Sequence, residues 1–439
     1  MNVALAKTTT GAVLDGTFAA ARGRLPGVGT VAETRQQAFD DFARTGLPTR
    51  RIEEWKYTDL RNLLRDVAPL APTPDQAALA QAAKLVEGLG TGDTQKLVIV
   101  DGVFAAGLSD LTSGGGVTVH ALSAMLDDAT SATRADLLRS RVADPMIALN
   151  AAFATDGMLI DIADDAAPSR PLHIVHVATR PSVAAFTRSL VRIGNRARVT
   201  LVESFVAAEA AKAYQAHDVA VIWIGDDSDL QHVRVMEDAG DAANIATAIV
   251  TVGARTKFNT FSLTTGGGVS RYQSFITLAG EDSELLTNSV HLLRDKQHGD
   301  CTFVIDHAAP NCLSREVFRS VLDDRAHSVF QGRINVHQVA QKTDGKMMSR
   351  SLLLSDEAEI DNKPELEIFA DDVQCGHGAT IGALDDSLLF YLRARGLPEK
   401  AAQALLIQAF VGEALESIAS DDLRDVAISA AERWLESRA

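Results

Sequence analysis

The chain has 439 residues, 46% of them hydrophobic, and a formal net charge of −16 at neutral pH. That length exceeds what one hydrophobic core organises, so two or three domains or a repeat architecture are expected. The acidic balance excludes phosphate-backbone or anionic-membrane binding as a main task, and three cysteines without a CxxC pair exclude a disulfide framework or a zinc ribbon.

Met1-Asn-Val-Ala-Leu-Ala-Lys7 lacks the long apolar run of a signal peptide, so a cytoplasmic, reducing setting is expected. Thr8-Thr-Thr-Gly11 and Pro26-Gly-Val-Gly29 leave room only for a short helix. Val31 to Arg44 predicts a longer one with Ala38, Phe39, Phe42 and Ala43 on its apolar side, stopped by Gly46 and Pro48. Arg50-Arg-Ile-Glu-Glu-Trp-Lys-Tyr57 mixes charge with aromatics, either as a docking or nucleic-acid surface or because Trp55 and Tyr57 pin a loop to a helical domain. No basic field surrounds it, which favours the pin. Asp75 to Val86 predicts another helix, and Lys96 to Phe104 a hairpin turning at Asp101-Gly102.

From about Gly157 short alternating runs replace helical periodicity, among them Met158–Ile162, Leu172–Val177, Val219–Ile224, Leu230–Val235 and Thr302–Ile305. Such runs fit a sandwich, a barrel or a solenoid. Strand-turn-strand units returning every twenty to thirty residues, over more sheet than one sandwich holds, favour the solenoid. Its terminal rungs need caps, and the helical regions at both ends of the chain suit that work.

Leu366, Ile368 and Ala370 alternate as a strand that leads into Asp371-Asp-Val-Gln-Cys-Gly-His-Gly-Ala-Thr-Ile-Gly382. The glycines disfavour a helix, so Cys375 and His377 are predicted on extended backbone, about 6.6 Å apart at Cα and on one face. A thiolate and an imidazole so placed can reach one metal ion, with the remaining ligands drawn from elsewhere. Helical sequence follows: Asp385 or Asp386 caps a helix through Arg395 that closes at Gly396, Pro398 opens a second with Leu405, Leu406, Ala409, Phe410 and Leu415 as its stripe, and a third spans Asp421 to Glu436.

Other motifs have bland readings. Cys301 shares strand parity with Phe303 and reads as buried, and Cys312 as structural in a turn. His298, His307, His327 and His337 form no close ligand pair, so each reads as a hydrogen-bonded strand or turn histidine. Gly114-Gly-Gly116, Gly266-Gly-Gly268 and Gly345-Lys346 lack the rest of a P-loop, so no ATP site is expected, and no nucleophile-elbow motif is present.

Glu365 to Gly382 resembles the SufB/SufD family of iron–sulfur cluster assembly scaffolds, on its SufD side. Gly299-Asp-Cys-Thr302, Ile305 to Ser314, Val329 to Ile334, Ala340 to Asp344, Leu352 to Ser355, Leu388 to Arg393 and Arg395-Gly396 resemble the same family, as do Gly46-Leu-Pro-Thr-Arg50 and Glu54-Trp-Lys-Tyr-Thr58. The resemblance implies a mainly β chain: a right-handed parallel β-helix over residues 155–383, flanked by a mainly helical domain at 1–154 and a helical domain at 384–439. It further implies a non-catalytic subunit of a SufB–SufC–SufD complex that builds nascent iron–sulfur clusters and supports iron acquisition. SufB would pair through the β-helix and SufC, supplying ATP hydrolysis, would sit at the carboxy-terminal helices, with Asp385, Phe390, Tyr391, Arg393 and Arg395 as contacts. His377 carries over as participant and tentative metal ligand at a transient cluster shared with SufB, with Cys375 the weaker candidate. A flavin is neither implied nor excluded. No nucleic-acid or membrane partner is expected, and a homodimer is expected when the chain is alone. The competing readings are a SufB-like or self-assembling scaffold and a β-helix carbohydrate-active enzyme; 5% aromatic residues and the missing signal peptide count against the latter.

Overall fold

The computed structural model describes residues 16–112, 114–418 and 420–436; Met1 to Lys7 and the Thr8–Gly11 turn lie outside them. The chain is mainly β, a parallel solenoid with helices at both termini. One face, sheet I, holds ten strands, starting from the hairpin Gln95–Val100 and Val103–Phe104 and ending at Gln374–Gly382. The opposite face, sheet II, holds nine, from Val117–Ala121 to Glu359–Ile368. From Met158–Ile162 onward successive strands alternate between the sheets, so each turn of chain lays one strand on each. Neighbours within these turns are in parallel register, for example Leu285↔Ser314 and Tyr272↔Cys301.

Side-chain alternation explains why these runs form rungs. Within His298–His307 and its neighbours, Cys301, Phe303 and Ile305 face the lumen with Tyr272, Phe330 and Ile334. The outward positions make other contacts. Turns between rungs place Asp165, Arg196, Asp227 and Arg255 at positive φ, and their side chains pair from rung to rung, as in Arg196 to Asp165 at 2.6 Å and Arg255 to Asp227 at 2.7 Å. The strands run longer than the apolar runs that mark them: Val219–Ile224 is only the second half of Gln215–Ile224. Ala243–Val252, Lys257–Thr264 and Glu284–Leu293 extend the same pattern.

The helices do not cap the ends of the solenoid, contrary to the expectation from sequence. They lie along its sides. The predicted helix at Val31–Arg44 forms as Thr30–Thr45, ended by Gly46 at φ 66°, and buries Val31, Arg35, Phe39 and Phe42 while Ala43 is exposed. With Pro145–Phe153 it packs on the outer face of sheet II, where Phe153 stacks on Phe186 at 5.1 Å. On the outer face of sheet I, Val233, Val235, Phe261, Val290 and Val321 are covered by the two last helices, Glu399–Leu415 and Asp421–Glu436. Pro398 sits at the N-cap of Glu399–Leu415, one residue before the first turn; the buried stripe is Ala402, Ile407, Val411, Ala414 and Leu415, and Leu405 is exposed. The physical reason is the sheet itself: its outward apolar rows offer a continuous surface along the stack, larger than a single rung end.

The aromatic stretch after Arg50 is the predicted pin. Trp55 is fully buried, its indole N–H donates to Asp144 at 2.9 Å, and the Arg271 guanidinium lies 3.8 Å from its ring centroid. Arg271 and Gln331 donate to the Glu54 carbonyl, and Glu53 pairs with Lys363 at 2.6 Å on the last strand of sheet II. The segment thus straps the outer face of sheet II as well as the helical region. The hairpin at Asp101-Gly102 is also present, with Ile99↔Phe104 and Val100↔Val103 paired.

Candidate functional site

The last turn leaves the solenoid open. Glu359–Ile368 and Gln374–Gly382 are the edge strands of the two sheets, and neither holds a fully buried residue. At the other end the terminal strands are added antiparallel, Val117–Ala121 on Met158–Ile162 and the short Val103–Phe104 on Gln95–Val100. An open pair of edges with apolar rims is a ready template for another chain.

Cys375 and His377 stand in this last strand, on extended backbone as predicted. Cys375 lies opposite Gly345 and His377 opposite Met347, which is buried in the lumen. Both therefore take the inward side, and Cys375 packs against the lumenal core. Because no rung follows, inward at His377 means solvent, and its imidazole is exposed. Gly378, on the other side of the strand, is a close approach: a Cβ there would lie 2.8 Å from the Met348 methyl group. Burial pushes the Cys375 thiol up; a backbone hydrogen bond from Gly345 opposes this and the Asp344 carboxylate reinforces it. At neutral pH the group is a thiol, so taking a metal ion there must expel a proton. The strand thus offers one exposed imidazole and one half-buried thiol on a common face, two side chains of the types that ligate metals.

The other cysteines are elsewhere. Cys301 is fully buried in the lumen with its thiol donating to Ser289 Oγ at 3.3 Å, and Cys312 is buried in a turn beside Ser283 and the Gly280 carbonyl. Burial pushes the Cys301 thiol far up, which makes it inert. Ser289 already offers a hydroxyl acceptor, so Cys301→Ser is expected to cost about 1 kcal/mol of stability, the low end for a buried polar group. Thermal or urea melts check the cost. Three of the four singled-out histidines have side-chain partners: His298 with Thr58, His307 with Ser314 and His327 with Asp361, each at 2.9 Å. His337 lies exposed in a turn.

The five predicted partner contacts lie together on and beside the helix Asp386–Ala394, all exposed. Asp385 caps it, accepting from the backbone N–H of Ser387 and Leu388 at 2.8 and 3.1 Å. Arg395 lies over the Tyr391 ring at 4.9 Å, and Arg393 pairs with Glu399 at 3.4 Å. Phe390 is 74% exposed, and Leu388 on the same helix is exposed as well; Phe369 and Ile381 are exposed apolar residues at the ends of the two last strands. Sequence reasoning missed what lies beneath His377. Met347 and then Glu316 occupy the same register one and two rungs down, a relation that only the rung alignment reveals.

Two family descriptions cover nearly the whole of this architecture. Residues 27–174 match the SufBD protein N-terminal region, and residues 176–410 match the SufBD core domain of SUF-system iron–sulfur cluster assembly. The chain belongs to the SufBD family. Within that family it is 32% identical to the iron–sulfur cluster assembly protein SufD of Escherichia coli over 395 residues, 89% of each chain. It is 30% identical to an iron–sulfur cluster assembly SufBD family protein of Synechocystis, over 88% of this chain and 86% of that one. A chloroplastic protein of Arabidopsis thaliana, ABCI7, is 26% identical over 90% and 84%. The chain is thus a SufD homologue of an iron–sulfur assembly scaffold family, and among its described residues no helix is long and apolar enough to cross a membrane.

Proposed function

We propose that this chain is a SufD-type, non-catalytic scaffold subunit that pairs with a SufB-type chain at its open end. A SufC-type ATPase binds at the helix Asp386–Ala394, and a nascent iron–sulfur cluster, the substrate of the assembly, is built at the junction next to His377. The observation that carries the reading is the uncapped last turn, which presents an exposed imidazole beside a thiol within two unpaired strand edges. Cys375 is the secondary participant, because its thiol is half buried and protonated at rest. Residues 1–154, 155–383 and 384–439 act as strap-bearing helical unit, solenoid and ATPase-facing unit. The solenoid winds to the right, as connections between parallel strands of one sheet do in about 98% of cases. Iron is acquired within the complex, in a reducing cytoplasm suited to the three free cysteines.

The open edges equally suit a second copy of the chain, so a homodimer is the alternative when no partner is present. Affinity purification from the native cell, with iron and sulfide analysis, tests the proposal: two further chains, one an ATPase, are expected to copurify. Recovery of a homodimer alone sinks it. The helix is tested by Phe390→Ala with Tyr391→Ala, because removing everything after residue 384 strips the cover from sheet I. The ATPase is expected to be lost while the other chain is retained.

A further inference from the structure

The lumen of the solenoid carries a second cluster of ligating groups, remote in the fold from the open end. His176, Glu203 and Asp218 point inward from three strands on both sheets, all buried, and each offers one ligand atom within 4.8 Å of the others. Asp218 Oδ1 accepts from the Thr187 hydroxyl at 2.7 Å, whereas its Oδ2, fully buried, has no hydrogen-bond partner among the described residues. The His176 ring is fixed by stacking on Phe205 at 4.2 Å. A small cavity of about 40 Å³ adjoins it, also lined by Thr187, Tyr214 and Asp238. About 10–15 Å³ suffices for one water, so a solvent ligand has room on the His176 side of the cluster.

Charge counting points the same way. Three buried carboxyl groups, Glu203, Asp218 and Asp238, face two buried arginines, Arg234 and, from the neighbouring strand, Arg188. Arg234 is clamped over the Phe205 ring at 4.2 Å, bonds Glu203, and stands 3.6 Å from Asp218 Oδ2. His232 also bonds Glu203, and both neighbours use Oε2. Asp238 is held by the Tyr214 hydroxyl at 2.7 Å and the Asn244 amide at 2.8 Å. One carboxyl group is left in excess of the arginines, and burying it ionised is costly unless a proton or a cation compensates.

We propose that His176, Glu203 and Asp218 form an internal site for one first-row divalent cation of the kind taken by imidazole and carboxylates. Arg234 and His232 orient Glu203 as its outer partners. A site deep between the sheets ties their first rungs together, and it is independent of the pairing and cluster chemistry at the open end.

The test loads the chelator-treated full chain with Zn²⁺ or Mn²⁺ alone. One equivalent per chain beyond that held by the Asp218→Asn variant is expected after gel filtration, together with a rise in melting midpoint that Asp218→Asn lacks. His176→Gln is the second variant, in case the first perturbs folding. Affinity in a folded variant is expected to fall by at least about 100-fold, the upper end of what losing even an outer partner costs. X-ray absorption of the zinc form is expected to show a nitrogen and oxygen shell. Equal metal content in parent and folded variants, or a zinc–sulfur distance that places the ion at Cys375, overturns the proposal.

Discussion

His377→Ala is expected to leave the chain folded and bound to its partners while the iron and sulfide recovered with the complex fall by about tenfold or more, as for loss of a metal-site side chain. The imidazole is exposed, its neighbours in sequence are Gly376 and Gly378, and only Met347 lies opposite, so the stability change should stay within about 0.5 kcal/mol. Thermal melts serve as the folding control. Cys375→Ser separates two versions of the site. Its side chain shares the face of His377 but packs into the lumen, so a matching loss makes both groups ligands, and a silent change leaves one imidazole completed by the partner chain. Unchanged cluster yield in His377→Ala with an intact complex would reduce the chain to an architectural subunit.

The exposed half of this site was legible in the sequence because its signal is local. Glycines on one parity and Cys375 and His377 on the other dictate an extended strand with two ligands on one face, whatever the rest of the chain does. The solenoid was legible for a similar reason, as alternation and turn residues repeat along the chain. What the sequence did not disclose depends on contacts between rungs. The apolar run Arg198–Val202 stops at Glu203, because a charge at an inward position breaks the alternation that marks a strand, yet the strand continues to Ala207. Its partner Arg234 lies in the next strand of the same sheet and Asp218 in the opposite one, so no window of sequence contains the network. The position of the helices was misread for the same reason. Their apolar stripes were visible, but the outward rows of Val, Leu and Phe that receive them belong to several rungs at once.

Glu316 gives the most direct physical test of that hidden lumen. It lies fully buried between Thr287 and Met347 in the ladder beneath His377, and neither carboxyl oxygen has a hydrogen-bond partner among the described residues. Burial pushes its carboxyl well above the ordinary value of 4.5. The sign of the consequence is opposite to that of a salt-bridged acid. Between the unfolded value and the raised folded one, the native chain holds a proton that the unfolded chain has released. Stability therefore falls as pH rises through that window, by about 1.4 kcal/mol per pH unit. Glu316→Gln keeps shape and neutrality without the proton, so its stability relative to the parent should grow as pH rises above the ordinary carboxyl value, by up to about 1.4 kcal/mol per pH unit until the folded group ionises. The fit of the amide adds a constant that does not alter this slope, and all other titrating groups are common to both chains. Urea melts of the two proteins across that range provide the measurement. Parallel pH curves would mean that Glu316 is ionised in the folded chain, held by a cation or by water, and the lumen beneath His377 would then be a hydrated channel instead of a dry, proton-bearing core.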